Sequence, residues 1–175
     1  MTKITLKAAA GVCLVLTTAC SAQRSTYTLG VAPALRVAPT STRAAQVTPL
    51  ERAQAIVNER GLCLDVEGGE SRDGARVINW SCHGGHNQQW QLFSDGTIRG
   101  RDGRCLDIAH DPAGRVHMWT CHGGENQRWE AKSDGTLRGA DERCLHSASE
   151  GVEGSPLVAR RCEGHATQRF ATRSF

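Results

Sequence analysis

One pattern occurs three times in the last 120 or so residues of this chain, at a spacing of about forty residues. Cys63-Leu64-Asp65, Cys105-Leu106-Asp107 and Cys144-Leu145-His146 recur at intervals of 42 and 39 residues. Each is followed by a second cysteine, at Cys82, Cys121 and Cys162. Beyond these come Gln88-Gln89-Trp90, Gln127-Arg128-Trp129 and Gln168-Arg169-Phe170. The first two copies also share Ser94-Asp95-Gly96-Thr97 and Ser133-Asp134-Gly135-Thr136. A unit this short cannot bury an apolar face on its own, so the three copies must share one core. Trp90, Trp129 and Phe170 hold equivalent places and are expected to be the large aromatic members of that core.

Within each copy the local signals are those of strands. Ala75 to Trp80 and Arg115 to Trp119 are short, partly apolar runs bounded by glycine or cysteine. Asp95-Gly96 and Asp134-Gly135 read as tight hairpin turns of the primed type, since glycine tolerates positive φ. With 19 glycines against 5 prolines and few long apolar runs, the chain favours an all-β fold of four strands per copy. Repeats are expected at about 56–100, 101–140 and 141–175, within a domain spanning 51–175.

The segment before this domain has a different character. Lys3 and Lys7 precede a mostly apolar run from Ala8 to Ala19, too short to cross a bilayer as a stable helix, and residues 1–19 read as a signal peptide. Leu16-Thr17-Thr18-Ala19-Cys20 resembles a bacterial lipoprotein cleavage box, which implies lipid on Cys20 and attachment to a membrane through it. Thr17 stands where that box usually has leucine; the alternative is a secretory peptide cut after Ala19 or Ala22, giving a periplasmic or secreted protein. Residues 20–50, rich in Ser, Thr, Ala and Pro, read as a tether. Thr48-Pro49-Leu50-Glu51 carries the pattern of a helix N-terminus, with plain linker as the alternative.

Charge excludes one class of partner. No acidic residue precedes Glu51, so the formal +3 of the chain comes from its beginning; from Glu51 onward 18 acidic residues outnumber the basic ones. A net negative domain lacks the clustered basic surface that nucleic acid requires.

Of the eight cysteines, Cys13 lies in the signal and Cys20 is the candidate lipid site. The remaining six allow fifteen pairings, and threefold repetition favours Cys63–Cys82, Cys105–Cys121 and Cys144–Cys162, each loop closure contributing about 3 kcal/mol in the chain-entropy picture. A zinc site at Cys82-His83, Cys121-His122 and His86 is the rival, but no local set of four ligands with paired spacing occurs. No metal and no cofactor is expected.

The series Cys-Leu-Asp, then an apolar-aromatic strand ending in Cys, then Gly-Gly-x-Asn-Gln-x-Trp resembles the ricin-type β-trefoil lectins and the related modules of secreted glycosidases. The resemblance covers about Ile56 to Phe175. It implies a six-stranded barrel with three capping hairpins, intra-repeat disulfides, and one possible sugar pocket per repeat. Carried onto this chain, it makes Asp65 the acceptor for sugar hydroxyls, Trp80 the stacking platform, and Asn87 and Gln88 amide partners, the alternative being that the amides, Gln88 and Gln127 above all, only satisfy turn backbone. In the second repeat the corresponding residues are Asp107, Trp119, Asn126 and Gln127, with His117 as a further polar contact where the first repeat has Ile78. These types suit a pyranose, which offers an apolar C–H face and hydroxyls that need paired donors and acceptors. The third repeat has His146, Arg160 and Thr167 at these places and is expected to be structural.

The expected function is a carbohydrate-binding lectin at the cell envelope, its partner a glycan of galactose type or a polysaccharide. The alternative is a lectin-like, protein-binding delivery subunit of a toxin or envelope complex, with a separate catalytic chain. An enzyme is not expected: a glycosidase pair needs carboxylates roughly 5–10 Å apart, and Asp65 and Asp107 belong to separate repeats.

Overall fold

The computed structural model describes residues 46–175. The signal peptide, Cys20 and most of the tether lie outside the described residues. Twelve strands follow one another, four to a repeat. The first repeat contributes β1 (Ala55–Asn58), β2 (Cys63–Val66), β3 (Val77–Trp80) and β4 (Trp90–Leu92). The second contributes β5 (Ile98–Gly100), β6 (Cys105–Ile108), β7 (Val116–Trp119) and β8 (Glu130–Ala131). The third contributes β9 (Leu137–Arg138), β10 (Arg143–Ser147), β11 (Leu157–Arg161) and β12 (Phe170–Arg173).

Every sheet crosses a repeat boundary. Their orders are β12-β1-β2-β3, β4-β5-β6-β7 and β11-β10-β9-β8, so the last strand of each repeat pairs with the first strand of the next and β12 returns to β1. Bridges at Gln54–Trp90, Thr97–Arg128 and Thr136–Arg169 link the remaining neighbours among the outer strands. Closure in a ring leaves few free edges, the standing hazard of a β protein.

The core repeats as the sequence does. Leu64, Leu106 and Leu145 are fully buried, with Ile56, Ile98 and Leu137 beside them. Trp90, Trp129 and Phe170 join the same cluster, as expected. The two indoles each donate to a leucine carbonyl, Trp90 Nε1 to Leu64 O at 3.0 Å and Trp129 Nε1 to Leu106 O at 2.9 Å. Burying a tryptophan thus leaves no polar atom unpaired. The three intra-repeat disulfides pair as repetition favoured, across separations of 19, 16 and 18 residues.

Three loops close the inner hairpins into a second ring. The loop after β2 reaches β7, with Gly74 N donating to Met118 O (2.8 Å) and Met118 N to Ala75 O (2.9 Å). The loop after β6 reaches β11 through Ala159 N to Gly114 O, and the loop after β10 reaches β3 through Gly154 N to Asn79 O and Asn79 N to Ser155 O. At this last junction the core turns polar. Asn79 fills the place held by Met118 and Ala159, with no exposure at all. Its Nδ2 donates to Ser155 Oγ (2.9 Å), while its Oδ1 accepts from Asn58 Nδ2 (2.9 Å) and Ser147 Oγ (3.1 Å).

Two local expectations are corrected. Asp95-Gly96 and Asp134-Gly135 do not form primed two-residue turns, because only the glycines have positive φ, 82° and 85°. Asp95 instead accepts from both Thr97 N and Thr97 Oγ1, and Gly96 N closes onto Phe93 O, which makes a wider turn with glycine as its left-handed residue. Thr48-Pro49-Leu50-Glu51 does not start a helix. Leu50 N donates to Leu92 O and Ser94 N to Thr48 O, so the segment lies extended along the outer edge of β4. Pairing with an open strand edge outweighs a cap, which stabilises by only about 1 kcal/mol.

Asn79→Ala should destabilise the domain by about 3 kcal/mol, because it leaves the Asn58, Ser147 and Ser155 side chains buried without their partner. Urea denaturation followed by tryptophan fluorescence measures the loss.

Candidate functional site

Asp65 lies on β2 and Asp107 on β6, each only 3% exposed. A strand alternates its faces, so Leu64 and Leu106 enter the core while the aspartates point to the other side, toward the loop that follows β3 or β7. A carboxylate so buried needs donors, and both have them. Asp65 accepts from Asn87 Nδ2 on Oδ1 (2.8 Å) and from Gln88 Nε2 on Oδ2 (2.7 Å). Asp107 accepts from Asn126 Nδ2 (3.0 Å) and Gln127 Nε2 (2.8 Å) on Oδ2, and His117 Nε2 lies 3.1 Å from Oδ1. The amides come from single 3-10 turns, His86–Gln88 and Glu125–Gln127, which place consecutive Asn and Gln side chains on one carboxylate.

Beside each aspartate stands a tryptophan at the end of the neighbouring strand. Trp80 is 42% exposed and Trp119 is 40% exposed, whereas Trp90 and Trp129 are buried. Each platform leaves an apolar ring face open to solvent beside a buried acceptor. Around the first site Asp65, Gly68, Ile78, Trp80, His83 and Asn87 line a hollow of about 300 Å³. In the second repeat His117 stacks on Trp119, with ring centroids 5.2 Å apart and planes 24° from parallel. Ile78 leaves the equivalent face of the first site apolar.

Gln88 and Gln127 follow the alternative reading and satisfy turn backbone. Both are fully buried. Gln88 Nε2 donates to Asp65 and to Ser81 O (2.9 Å), and its Oε1 accepts from His83 N (2.8 Å) and Gly84 N (3.2 Å). Its hydrogen-bonding capacity is thereby filled. Gln127 Nε2 likewise joins Asp107 to Thr120 O, and its Oε1 takes His122 N. These residues orient the carboxylate and hold the loop; they do not face outward as amide partners for a sugar. Gln168 makes the same loop bonds, to Arg161 O, Glu163 N and Gly164 N, where no aspartate is present.

Two residues at these sites entered the sequence reading only as zinc candidates. His83 Nε2 lies 3.3 Å from Asp65 and His122 Nε2 lies 3.4 Å from Asp107, each side chain nearly half exposed. Each ring accepts a backbone amide on Nδ1, from Gly85 (3.1 Å) and Gly124 (3.2 Å), which places its single ring proton on Nε2 facing the carboxylate. The adjacent thiols are in disulfides, so the zinc reading loses its thiolates. Among the described residues no cluster of three or more His, Cys, Asp or Glu could hold a metal. The repeated Cys-His-Gly-Gly was the available signal for the histidines.

The third repeat departs as its sequence does. Arg160 stands exposed at the platform position, and Thr167 Oγ1 lies 3.4 Å from His146 Nδ1. Burial, then the charges of Arg160 and His165, push the His146 imidazole below its usual range, which favours the neutral ring. It supplies no carboxylate acceptor.

Gln168→Ala should therefore destabilise the domain by about 1–3 kcal/mol, through unpairing of the Glu163 and Gly164 amides. Thermal and urea melts test this in a repeat that has no aspartate to orient.

Comparison with known proteins gives the same assignment. The sequence model of the ricin-type beta-trefoil lectin domain matches residues 52–171. Beta-galactoside-specific lectin 2 of Viscum album is 43% identical over 61 residues, 34% of this chain and 11% of that protein. The chain thus spans only about an eighth or less of the first curated relatives it matches. Among solved structures, the agglutinin from Abrus precatorius superposes with a TM-score of 0.65 at 28% identity, covering 72% of this chain and 49% of the agglutinin. The designed threefold-symmetric protein ThreeFoil superposes with a TM-score of 0.63 at 28% identity, over 70% of this chain and 99% of the design. With a family match over most of its length and the threefold strand order to go with it, this chain belongs to the ricin-type beta-trefoil lectin domain family.

Proposed function

We propose that the domain binds the terminal sugars of glycans at two sites, built on Asp65 with Trp80 and on Asp107 with Trp119, and carries out no chemistry on them. The observation that carries this reading is the pairing, in two repeats only, of a half-exposed tryptophan with a buried carboxylate fixed by Asn and Gln. The indole takes the apolar face of a pyranose, and the carboxylate accepts from a ring hydroxyl that replaces the half-exposed His83 or His122 as donor. Asn87, half-buried, and Asn126, buried beside its glutamine, each spend Nδ2 on the aspartate and a backbone carbonyl, which leaves only the side-chain oxygen for a sugar; His83 and His122 face the same carboxylates. Beta-galactoside is the sugar named for the Viscum album relative, and a galactose-type ligand is the first to test.

The two sites differ in strength. Asp107 already receives His117, whereas the corresponding face of Asp65 meets only Ile78 and keeps more of its acceptor capacity. Single shallow sites bind weakly, and clustered glycans engaging both sites of one molecule raise avidity without new contacts.

Three disulfides fit an exported protein folding in an oxidising compartment. We further propose that the chain is held at the cell envelope by lipid on Cys20. Mass spectrometry of the mature N-terminus should find acylated Cys20; a free amino group at Ser21 or Gln23 refutes the anchor.

Titration with methyl β-galactoside, followed through indole resonances, should shift Trp80 and Trp119 and leave Trp90 and Trp129 unmoved. Asp65→Ala and Asp107→Ala should each weaken its own site by about 10- to 100-fold, the worth of hydrogen bonds to a charged acceptor. A folded double mutant that still binds galactosides or arrayed glycans as wild type would sink the assignment.

A further inference from the structure

We infer that each sugar site is completed by a carboxylate from the neighbouring repeat: Glu153 of the third repeat positions Trp80, and Asp73 of the first repeat positions Trp119. This inference rests on the two-site reading above and adds two residues that touch neither the aspartates nor the ring faces.

Each carboxylate grips the residue that directly follows a platform. Glu153 Oε1 accepts from Ser81 N at 2.9 Å. Asp73 accepts from Thr120 N at 2.7 Å and from Thr120 Oγ1 at 3.0 Å. The same two residues are held from the other side by their own repeat, since Ser81 O accepts from Gln88 Nε2 and Thr120 O from Gln127 Nε2. The residue after each platform is therefore clamped at both its amide and its carbonyl, one half of the clamp coming from another repeat. Adjacent glycines bring the loops close to the rings. A Cβ placed on Gly154 would lie 3.9 Å from Trp80 Cζ3, and one on Gly74 would lie 4.0 Å from Trp119 Cζ3.

The three repeats provide an internal control. Asp73, Ala113 and Glu153 occupy equivalent places, each directly before a glycine of positive φ. The loop carrying Ala113 faces the third repeat, where Arg160 replaces the platform, and alanine has no acceptor to offer. Carboxylate and tryptophan are present together at two junctions and absent together at the third. Asp73 is itself steadied by Arg104 Nε at 3.1 Å, and hydrogen bonds from Ser81 hold the Glu153 carboxyl below its usual range. Both groups are ionised acceptors near neutral pH, the stronger kind. The third repeat thus has a task besides closing the barrel: without it the first site has half a clamp.

A platform tryptophan that swings freely must be ordered again on binding, which weakens affinity without removing any contact to the sugar. Glu153→Ala should speed hydrogen exchange at the Ser81 amide, loosen the Trp80 indole in heteronuclear relaxation, and weaken methyl β-galactoside at the first site about five- to tenfold, with the second site unchanged. Glu153→Gln keeps an acceptor for Ser81 and should restore most of the affinity and the protection. Asp73→Ala should do the converse, affecting Trp119 and sparing Trp80. Unchanged Ser81 exchange and Trp80 order in Glu153→Ala would overturn the clamp, and loosened order with unaltered affinity would overturn its role in binding. If wild-type Trp80 and Trp119 ignore every galactoside and arrayed glycan, the two-site reading fails instead, and the exchange data still report separately on the clamp.

Discussion

Each repeat of this chain has an apolar face and nothing within itself to cover it. Four strands of two to five residues cannot bury Leu64, Ile56 and Trp90 from water, and the same holds for their counterparts in the other copies. The three faces must meet, and with them come the ring of outer strands and the ring of loops joining hairpin to hairpin. Hydrophobic burial of this kind is non-directional; the backbone pairings between repeats decide the angle at which the faces meet. One consequence is that no repeat is self-contained. The loop of each copy lies against the third strand of the next, and whatever side chain it carries there becomes part of the neighbour's surface.

The sites use a different kind of interaction from the core that carries them. A buried carboxylate is tolerated only with donors around it, and consecutive Asn and Gln on a 3-10 turn supply them. The glutamine does this without facing outward, since its bonds, four for Gln88 and three for Gln127, are all internal. Its recurrence in the third repeat, where the aspartate is His146, separates two tasks that coincide in the other repeats: holding the loop and orienting the acceptor. The loop therefore keeps its form in a repeat without the carboxylate.

The exchange of Met118 and Ala159 for Asn79 shows the same economy in the core. Where the third repeat meets the first, a closed set of Asn and Ser side chains replaces apolar packing and fixes the junction by direction as well as by volume. That junction is the one that delivers Glu153 to Ser81.

Much was legible before any coordinates. The threefold recurrence, the cysteine pairing within repeats and the core tryptophans follow from residue type and spacing, because repetition constrains every copy at once; the aspartates beside outward-facing indoles came from the family resemblance. The reading failed where local sequence is degenerate. Thr48-Pro49-Leu50-Glu51 has the letters of a helix start but lies along β4, since an edge strand offers more than a cap does. Asp-Gly has the letters of a primed turn but opens wider, because the aspartate bonds forward to threonine. His83 and His122 entered only through a zinc site that lacked a local set of four ligands, and their place facing a carboxylate was not legible. What the sequence by itself determined was the unit, its number and its chemistry. Which repeat lends which side chain to its neighbour was decided only by the tertiary structure, because Glu153 and Ser81 are 72 residues apart and meet solely through closure of the ring.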